Sequence, residues 1–412
     1  MNILHVNTSD IQGGAARAAY RLHKALLSAG ADSQMLVQSK SSDDFTVIVP
    51  EIKFRNARGN LRPILDSIPV RRYPERTKTL FSPSWVPFSG IVDKINALNP
   101  DLVHLHWISG GMIRIEELAK IKAPIVWSLH DMWAFTGGCH YDEGCGKFKN
   151  ACGGCPVLSS NKPKDLSARI WQRKHASYPK NSNLTIIGVS KWLANEAKTS
   201  SLFRQMQVVN LPNPIDTAMF SPIDKYQARS LFNLPLNKKL VLFGAMGATS
   251  DPRKGFKELA QALEQLDADN TELVVFGSSQ PKTSQGFKQA AHYLGHLHDE
   301  VSLRLLYSAA DVMVVPSLQE AFGQTASESM ACSTPVVAFG ATGLLDIVDH
   351  QQTGYLAKPF KVSDLAAGID WILNAPNYEE LCQNARKKVL CEFDSQIVAD
   401  KYIAFYKSVL SI

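Results

Sequence analysis

Short apolar runs alternate along most of the chain with stretches whose apolar positions recur at helical spacing. Residues 3–7, 34–38, 102–107, 125–129 and 184–189 are rich in Val, Ile and Leu and carry few alternating polar residues. That is the composition of parallel strands buried on both faces. A Gly-rich turn and a helix around residues 15–28 separate the first two. The alternation predicts an α/β fold with a doubly wound sheet.

A break follows at Val209-Asn210-Leu211-Pro212-Asn213-Pro214, where two prolines in three residues stop regular structure. The pattern then restarts, with strands expected at 239–243, 272–276, 311–315 and 335–339. Residues 378–410 carry no strand signal and predict two helices parted near Phe393-Asp394. We therefore expect a Rossmann-like domain over 1–212 and a second over 213–394, with the helix of about 395–412 packing back on the first. Two such domains would face each other across a deep cleft. Ligands in doubly wound folds bind outside the carboxyl ends of the strands.

Composition narrows the class. The 412 residues are 45% hydrophobic and 20% charged, the balance of a soluble globular protein. The N-terminus reads as a first buried strand rather than a signal peptide, and no window of ~18 apolar residues would span a bilayer. The expected location is cytoplasmic. A net charge of +6 is too mild to imply nucleic acid. Part of the excess is local: Lys53, Arg55, Arg58, Arg62, Arg71, Arg72, Arg76 and Lys78 stand against Glu51, Asp66 and Glu75. Such a stretch can rest on anionic lipid at the inner face of a membrane, and a plain solvated surface stays open beside it.

The densest chemistry follows the expected strand at 311–315. Glu320 and Glu328 flank Phe322-Gly323-Gln324-Thr325, which suits a loop turning into a helix. A helix N-terminus carries unsatisfied donors and partial positive charge, so it can hold a diphosphate. Glu320 is placed to accept hydrogen bonds from sugar hydroxyls, and Glu328 from a ribose. Were both helical, they would stand about 12 Å apart along the axis. The paired carboxylates of glycoside hydrolases are about 5–9.5 Å apart across one bond. The spacing fits the two ends of an extended ligand better. After the strand at 239–243 come Gly244 and Gly247, then Arg253-Lys254-Gly255, cations placed to neutralise a phosphate.

In the first half, Gly13-Gly14 after the first strand permit close backbone approach, with Gly14 a candidate contact; a plain turn is the alternative. His130-Asp131 closes the strand at 125–129. Cys139, Cys145, Cys152 and Cys155 lie in one Gly-rich loop and are candidate ligands of a structural zinc, with His140 as an alternative. Disulfides or free thiols are the other readings. Four thiolates would leave no open position for a catalytic metal.

The segment around Glu320 and Glu328 resembles the Glu-x7-Glu signature of retaining GT-B glycosyltransferases of family 4. Lys254-Gly255, the segments starting at Val189 and Leu211, and those around Gly340 and Thr353 are similar to that family as well. Cysteines of this kind occur in bacterial polysaccharide glycosyltransferases of the colanic-acid type. The resemblance implies a nucleotide-sugar donor held by the second domain at Arg253, Lys254, Phe322, Gly323, Gln324, Thr325 and Glu328. It implies a saccharide or polyprenyl-linked acceptor at the first domain, and catalysis by Glu320, His130 and Lys254 without a catalytic metal. In that family a His at the position of His130 touches the transferred sugar. One departure is the Arg the family usually shows soon after a glycine: Ala248 or Thr249 stands there, and Arg253 is the nearest replacement. A GT-B epimerase or a sugar-phosphate phosphorylase is the competing enzyme class. An oxidoreductase fits less well, because Gly13-Gly14 is not the dinucleotide fingerprint.

Overall fold

The computed structural model describes residues 1–50, 55–181, 183–280 and 287–411, with side chains omitted for 55–60. Glu51 and Lys53 of the basic stretch lie outside the described residues, as do the side chains of Arg55 and Arg58. The chain forms two compact units. Met1–Pro212 with Val398–Ile412 make the first, and Asn213–Ile397 the second.

The first unit is built on seven parallel strands: β1 (Asn2–Ser9), β2 (Asp32–Ser39), β3 (Val47–Ile48), β4 (Leu102–Leu105), β5 (Ile125–Leu129), β6 (Leu184–Gly188) and β7 (Val208–Asn210). Their order is β3-β2-β1-β4-β5-β6-β7. Helices α1 (Gly14–Ser28), α2 (Arg55–Ser67), α3 (Ile91–Leu98), α4 (Leu166–Ser177) and α5 (Lys191–Thr199) connect them. Every residue of β4, β5 and β6 is buried, as continuous apolar runs require of strands covered on both faces. The sheet order turns back between β1 and β4, which makes the carboxyl ends of those strands the natural ligand edge.

The second unit repeats the plan with β8 (Lys239–Gly244), β9 (Thr271–Phe276), β10 (Ala291–Tyr293), β11 (Val312–Val315), β12 (Val336–Phe339) and β13 (Gly354–Ala357), in the order β10-β9-β8-β11-β12-β13. Its helices are α6 (Lys225–Leu231), α7 (Phe256–Leu263), α8 (Glu300–Ala309), α9 (Gln324–Ala331), α10 (Leu344–Ile347), α11 (Val362–Leu373) and α12 (Tyr378–Glu392). Phe243, Leu259, Val275, Val314, Phe339 and Ile369 centre its core. The order reverses between β8 and β11.

The final helix α13 (Ser395–Leu410) starts in the second unit and ends in the first. There Val398, Ala399, Tyr402 and Tyr406 cover Ile3, Leu22, Leu102, Val126 and Ile187. All nine strands read from sequence are present. The run at 102–107 is shorter than expected: β4 ends at Leu105, and the chain beyond is held to β1 through His106 N to Val6 O at 2.9 Å and Thr8 N to Trp107 O at 2.9 Å. Strands β3, β7, β10 and β13 lie at or beside sheet edges, are two to four residues long and are only partly buried, so no apolar run announces them.

Candidate active site

In the second unit, two loops at the carboxyl ends of β8 and β11 are pressed together. Asp251 caps a single turn over Pro252–Lys254 by accepting from Arg253 N at 3.0 Å. Gly255 follows at φ 73°, and a Cβ there would lie 1.9 Å from Pro316 O. Only glycine allows this approach. Arg253 O accepts from Leu318 N at 2.8 Å, and Arg253 Nη1 donates to Gln319 O at 2.8 Å. The contact brings Lys254 Nζ to 2.7 Å from Glu320 Oε2, with Arg253 Nη1 3.9 Å from the same oxygen. Ser317 Oγ is a third donor at 3.3 Å. Burial pushes the Glu320 carboxyl upward, but the Lys254 and Arg253 charges outweigh it and hold it below its ordinary value. Glu320 is therefore an anion at neutral pH.

Its backbone is equally fixed. Glu320 N donates to Thr342 Oγ1 at 3.1 Å, and Glu320 O accepts from Gly343 N at 2.9 Å. Gly323 caps α9 at φ 106° and accepts from Ala326 N and Ser327 N. Gln324 and Thr325 open the helix half-exposed. Phe322, expected to line the donor loop, is only 2% exposed and meets Phe393 edge to face. Its ring belongs to the core, and only its main chain is available to a ligand. Glu328 is buried one turn on and accepts from Tyr307 Oη at 2.6 Å. The structure thus brings Lys254, Arg253 and Glu320 together at the loop and sets Glu328 deeper in α9.

In the first unit, Gly13 at φ 100° turns the chain from β1 into α1, which starts at Gly14. His130 ends β5 half-buried, with Nε2 3.0 Å from His106 Nδ1. Burial lowers its pKa to about 4, with Asp131 pulling the other way. Asp131 accepts from His140 Nδ1 at 2.6 Å, Trp107 Nε1 at 2.9 Å and Trp133 N at 2.8 Å. His106, Trp107, His130 and Asp131 line a small cavity of about 10 Å³, close to the space one water needs. Reading single residues missed His106. The signal was present in His104-Leu105-His106, whose period of two puts both rings on one side of the extended chain formed by β4 and the residues after it.

The four loop cysteines are not gathered equally. Cys139 and Cys155 share a hydrogen bond, which raises the first thiol and lowers the second to about 7. Among the described residues, the one group of three or more metal-binding side chains with donor atoms mutually within 4.8 Å is His5, His104 and His106. The expected four-sulfur set is not assembled at ligand spacing. His140, the alternative ligand, bonds Asp131 and Ser82 instead.

Comparison with known proteins decides the family. The model for glycosyl transferases group 1 matches residues 224–389, and that for Glycosyltransferase Family 4 matches residues 12–219, just over half the chain. The chain belongs to glycosyltransferase family 4. Among family relatives, an uncharacterized glycosyltransferase of Methanocaldococcus jannaschii is 24% identical over 356 residues, covering 78% of this chain and 87% of its own. The capsular polysaccharide biosynthesis glycosyltransferase CapM of Staphylococcus aureus is 26% identical over 243 residues, 55% of this chain and 62% of its own. HepE of Anabaena, solved with UDP and glucose, superposes with a TM-score of 0.68 at 17% identity over 99% of this chain and 100% of that one. The two Rossmann-like units are those of the GT-B fold, and the chain is a glycosyltransferase.

Proposed function

We propose that this glycosyltransferase moves a hexose from a nucleotide-sugar donor, with retention of configuration, to a saccharide or lipid-linked saccharide in cell-surface polysaccharide synthesis. The observation that carries the reading is the Lys254–Glu320 pair at 2.7 Å beside the start of α9. It places a cation, a carboxylate and a helix N-terminus at one strand edge of the second unit. A donor diphosphate would draw Lys254 from Glu320, and the released carboxylate would accept from sugar hydroxyls. Glu328 is assigned to the ribose, which requires it to share its Tyr307 contact. The bond from the anomeric carbon to the phosphate oxygen breaks through an oxocarbenium-like state. The acceptor oxygen bonds that carbon on the same face, and its proton passes to the departing phosphate. Lys254, Arg253 and the α9 dipole stabilise the charge that develops there.

The UDP-glucose bound in another HepE structure and the capsular polysaccharide biosynthesis named for CapM support the donor and pathway classes. We assign the enzyme to the inner face of the membrane, on the surface of α2 and the turn after it. No helix among the described residues is long and apolar enough to cross a bilayer.

The deciding experiment follows nucleoside diphosphate release from UDP-, GDP- and ADP-sugars. Glu320→Ala and Lys254→Ala should each lower kcat/KM by about 100-fold or more while the far-UV circular dichroism stays that of the folded protein. Full activity in either purified variant removes that residue from the site.

A further inference from the structure

Three imidazoles stand in the interior of the first unit with no part in the reaction above. The β1–β4 register pairs His5 with His104, and His106 follows two residues on. Ring centroids lie 4.2 Å apart for His104 and His106, 5.2 Å for His5 and His106, and 5.3 Å for His106 and His130. His5 and His104 are 0% exposed and His106 3%. Buried polar rings are costly unless hydrogen-bonded, so their wiring carries information.

His104 bonds Tyr406 Oη through Nδ1 at 2.6 Å and Ser128 Oγ through Nε2 at 2.8 Å. His106 bonds His5 Nδ1 through Nε2 at 2.9 Å and His130 Nε2 through Nδ1 at 3.0 Å. Of the six ring nitrogens on His5, His104 and His106, only His5 Nε2 has no partner. A chelate would need three lone pairs aimed at one point, and five of the six nitrogens are engaged elsewhere. The donor atoms are close enough for a metal, yet they are wired as a chain.

Burial lowers the pKa of every ring in that chain, leaving each neutral at pH 7 with one N–H. The chain His5–His106–His130 then has two proton orders. If His130 donates to His106 and His106 to His5, the chain ends in a buried N–H on His5 Nε2 with no acceptor. If His5 donates to His106 and His106 to His130, it ends in a bare lone pair. An orphaned buried donor is the less tolerated end.

We propose that the second order is the resting state, so that His106 and His5 are positioning residues that hold His130 with its proton on Nδ1. The inference rests on the reading of His130 as a ligand-facing group. His130 Nδ1 has no partner among the described residues. In this state it offers an N–H to a ligand oxygen and has no lone pair there to take a proton. Through Nδ1, His130 then acts as a hydrogen-bond donor and not as a general base.

The test is long-range proton–nitrogen correlation on protein labelled with ¹⁵N-histidine at pH 7.5, without donor. Signals are assigned by their loss in His130→Gln and His106→Leu. The expected wild-type result is the Nδ1–H tautomer at both His106 and His130. His106→Asn keeps an amide N–H near the position of Nδ1 and should retain that tautomer at His130. His106→Leu removes the donor and should return His130 to the Nε2–H form. An Nε2–H tautomer at His130 in the wild type overturns the proposal, whether or not the variants fold. An unchanged His130 signal in His106→Leu overturns the positioning role. No turnover is needed, so a failed transfer assay with the expected tautomers would sink only the proposed function.

Discussion

At residue scale, Gly255 is the hinge on which the candidate site depends. Its φ of 73° and the 1.9 Å approach to Pro316 O exclude any side chain. Gly255→Ala therefore forces the two loops apart. We expect a loss of at least about 2 kcal/mol, from the left-handed conformation and the clash together. Separation of Lys254 from Glu320 should accompany it. Urea unfolding followed by far-UV circular dichroism reads the first effect, and loss of sugar-nucleotide turnover the second. Unchanged stability would mean that the loops are not in contact. Lys254 and Glu320 were legible in sequence because charged residues beside glycines at strand ends sit where doubly wound folds bind their ligands. The burial of the Phe322 ring was not legible, since adjacency to Gly323 says nothing about which way a ring points. His106 was hidden because its partners come from elsewhere in the chain, His5 from β1 and His130 from the residue after β5.

At the scale of the element, α2 and the turn behind it present an unusual surface. Leu61, Ile64, Leu65 and Ile68 are between 40% and 52% exposed at helical spacing, and Phe88 is 89% exposed. Arg71, Arg72, Arg76 and Lys78 are exposed close by in sequence. The helix is clamped rather than loose: the Arg62 guanidinium donates to Gly111 O, Pro87 O and Val86 O. An apolar stripe beside cations suits an anionic lipid interface. Sedimentation with phosphatidylglycerol vesicles at low salt should retain the protein, and Ile64→Glu with Ile68→Glu should release it. Equal binding to neutral vesicles would remove the electrostatic part, and no binding the whole contact. The sequence disclosed the cations here. It did not disclose the stripe, because apolar positions at helical spacing ordinarily face a core.

Across the whole molecule, the two units should respond differently to acid. His23 and His130 have pKa values lowered to about 4 by burial, and His5, His104 and His106 lie well below the usual value. All five belong to the first unit. The unfolded chain binds more protons below pH ~6.5, so the stability these neutral rings contribute is present above that pH and lost as pH falls toward 4. His23 and His130 alone should each cost about 2 kcal/mol by pH 5. In the second unit, Asp311 and Glu320 are held below their ordinary values by neighbouring cations, so their contribution persists until more acidic pH. Six of the seven tryptophans lie in the first unit, only Trp371 in the second, so fluorescence reports the first. Its urea midpoint should fall between pH 7.5 and pH 5, and a constant midpoint would mean the rings are charged in the native state. The two-sheet plan was legible because buried parallel strands write uninterrupted apolar runs. The histidine core was not, since its cohesion comes from contacts between rings far apart in the chain.

The path of α13 also sets the order of events during synthesis. The apolar patch formed by Ile3, Leu102 and Val126 is covered by residues 398–406, which are translated after the other strands and helices of both units. Of the two units, the first is thus completed after the second, which can close before it. Chaperones meeting the nascent chain would find this patch bare until α13 emerges.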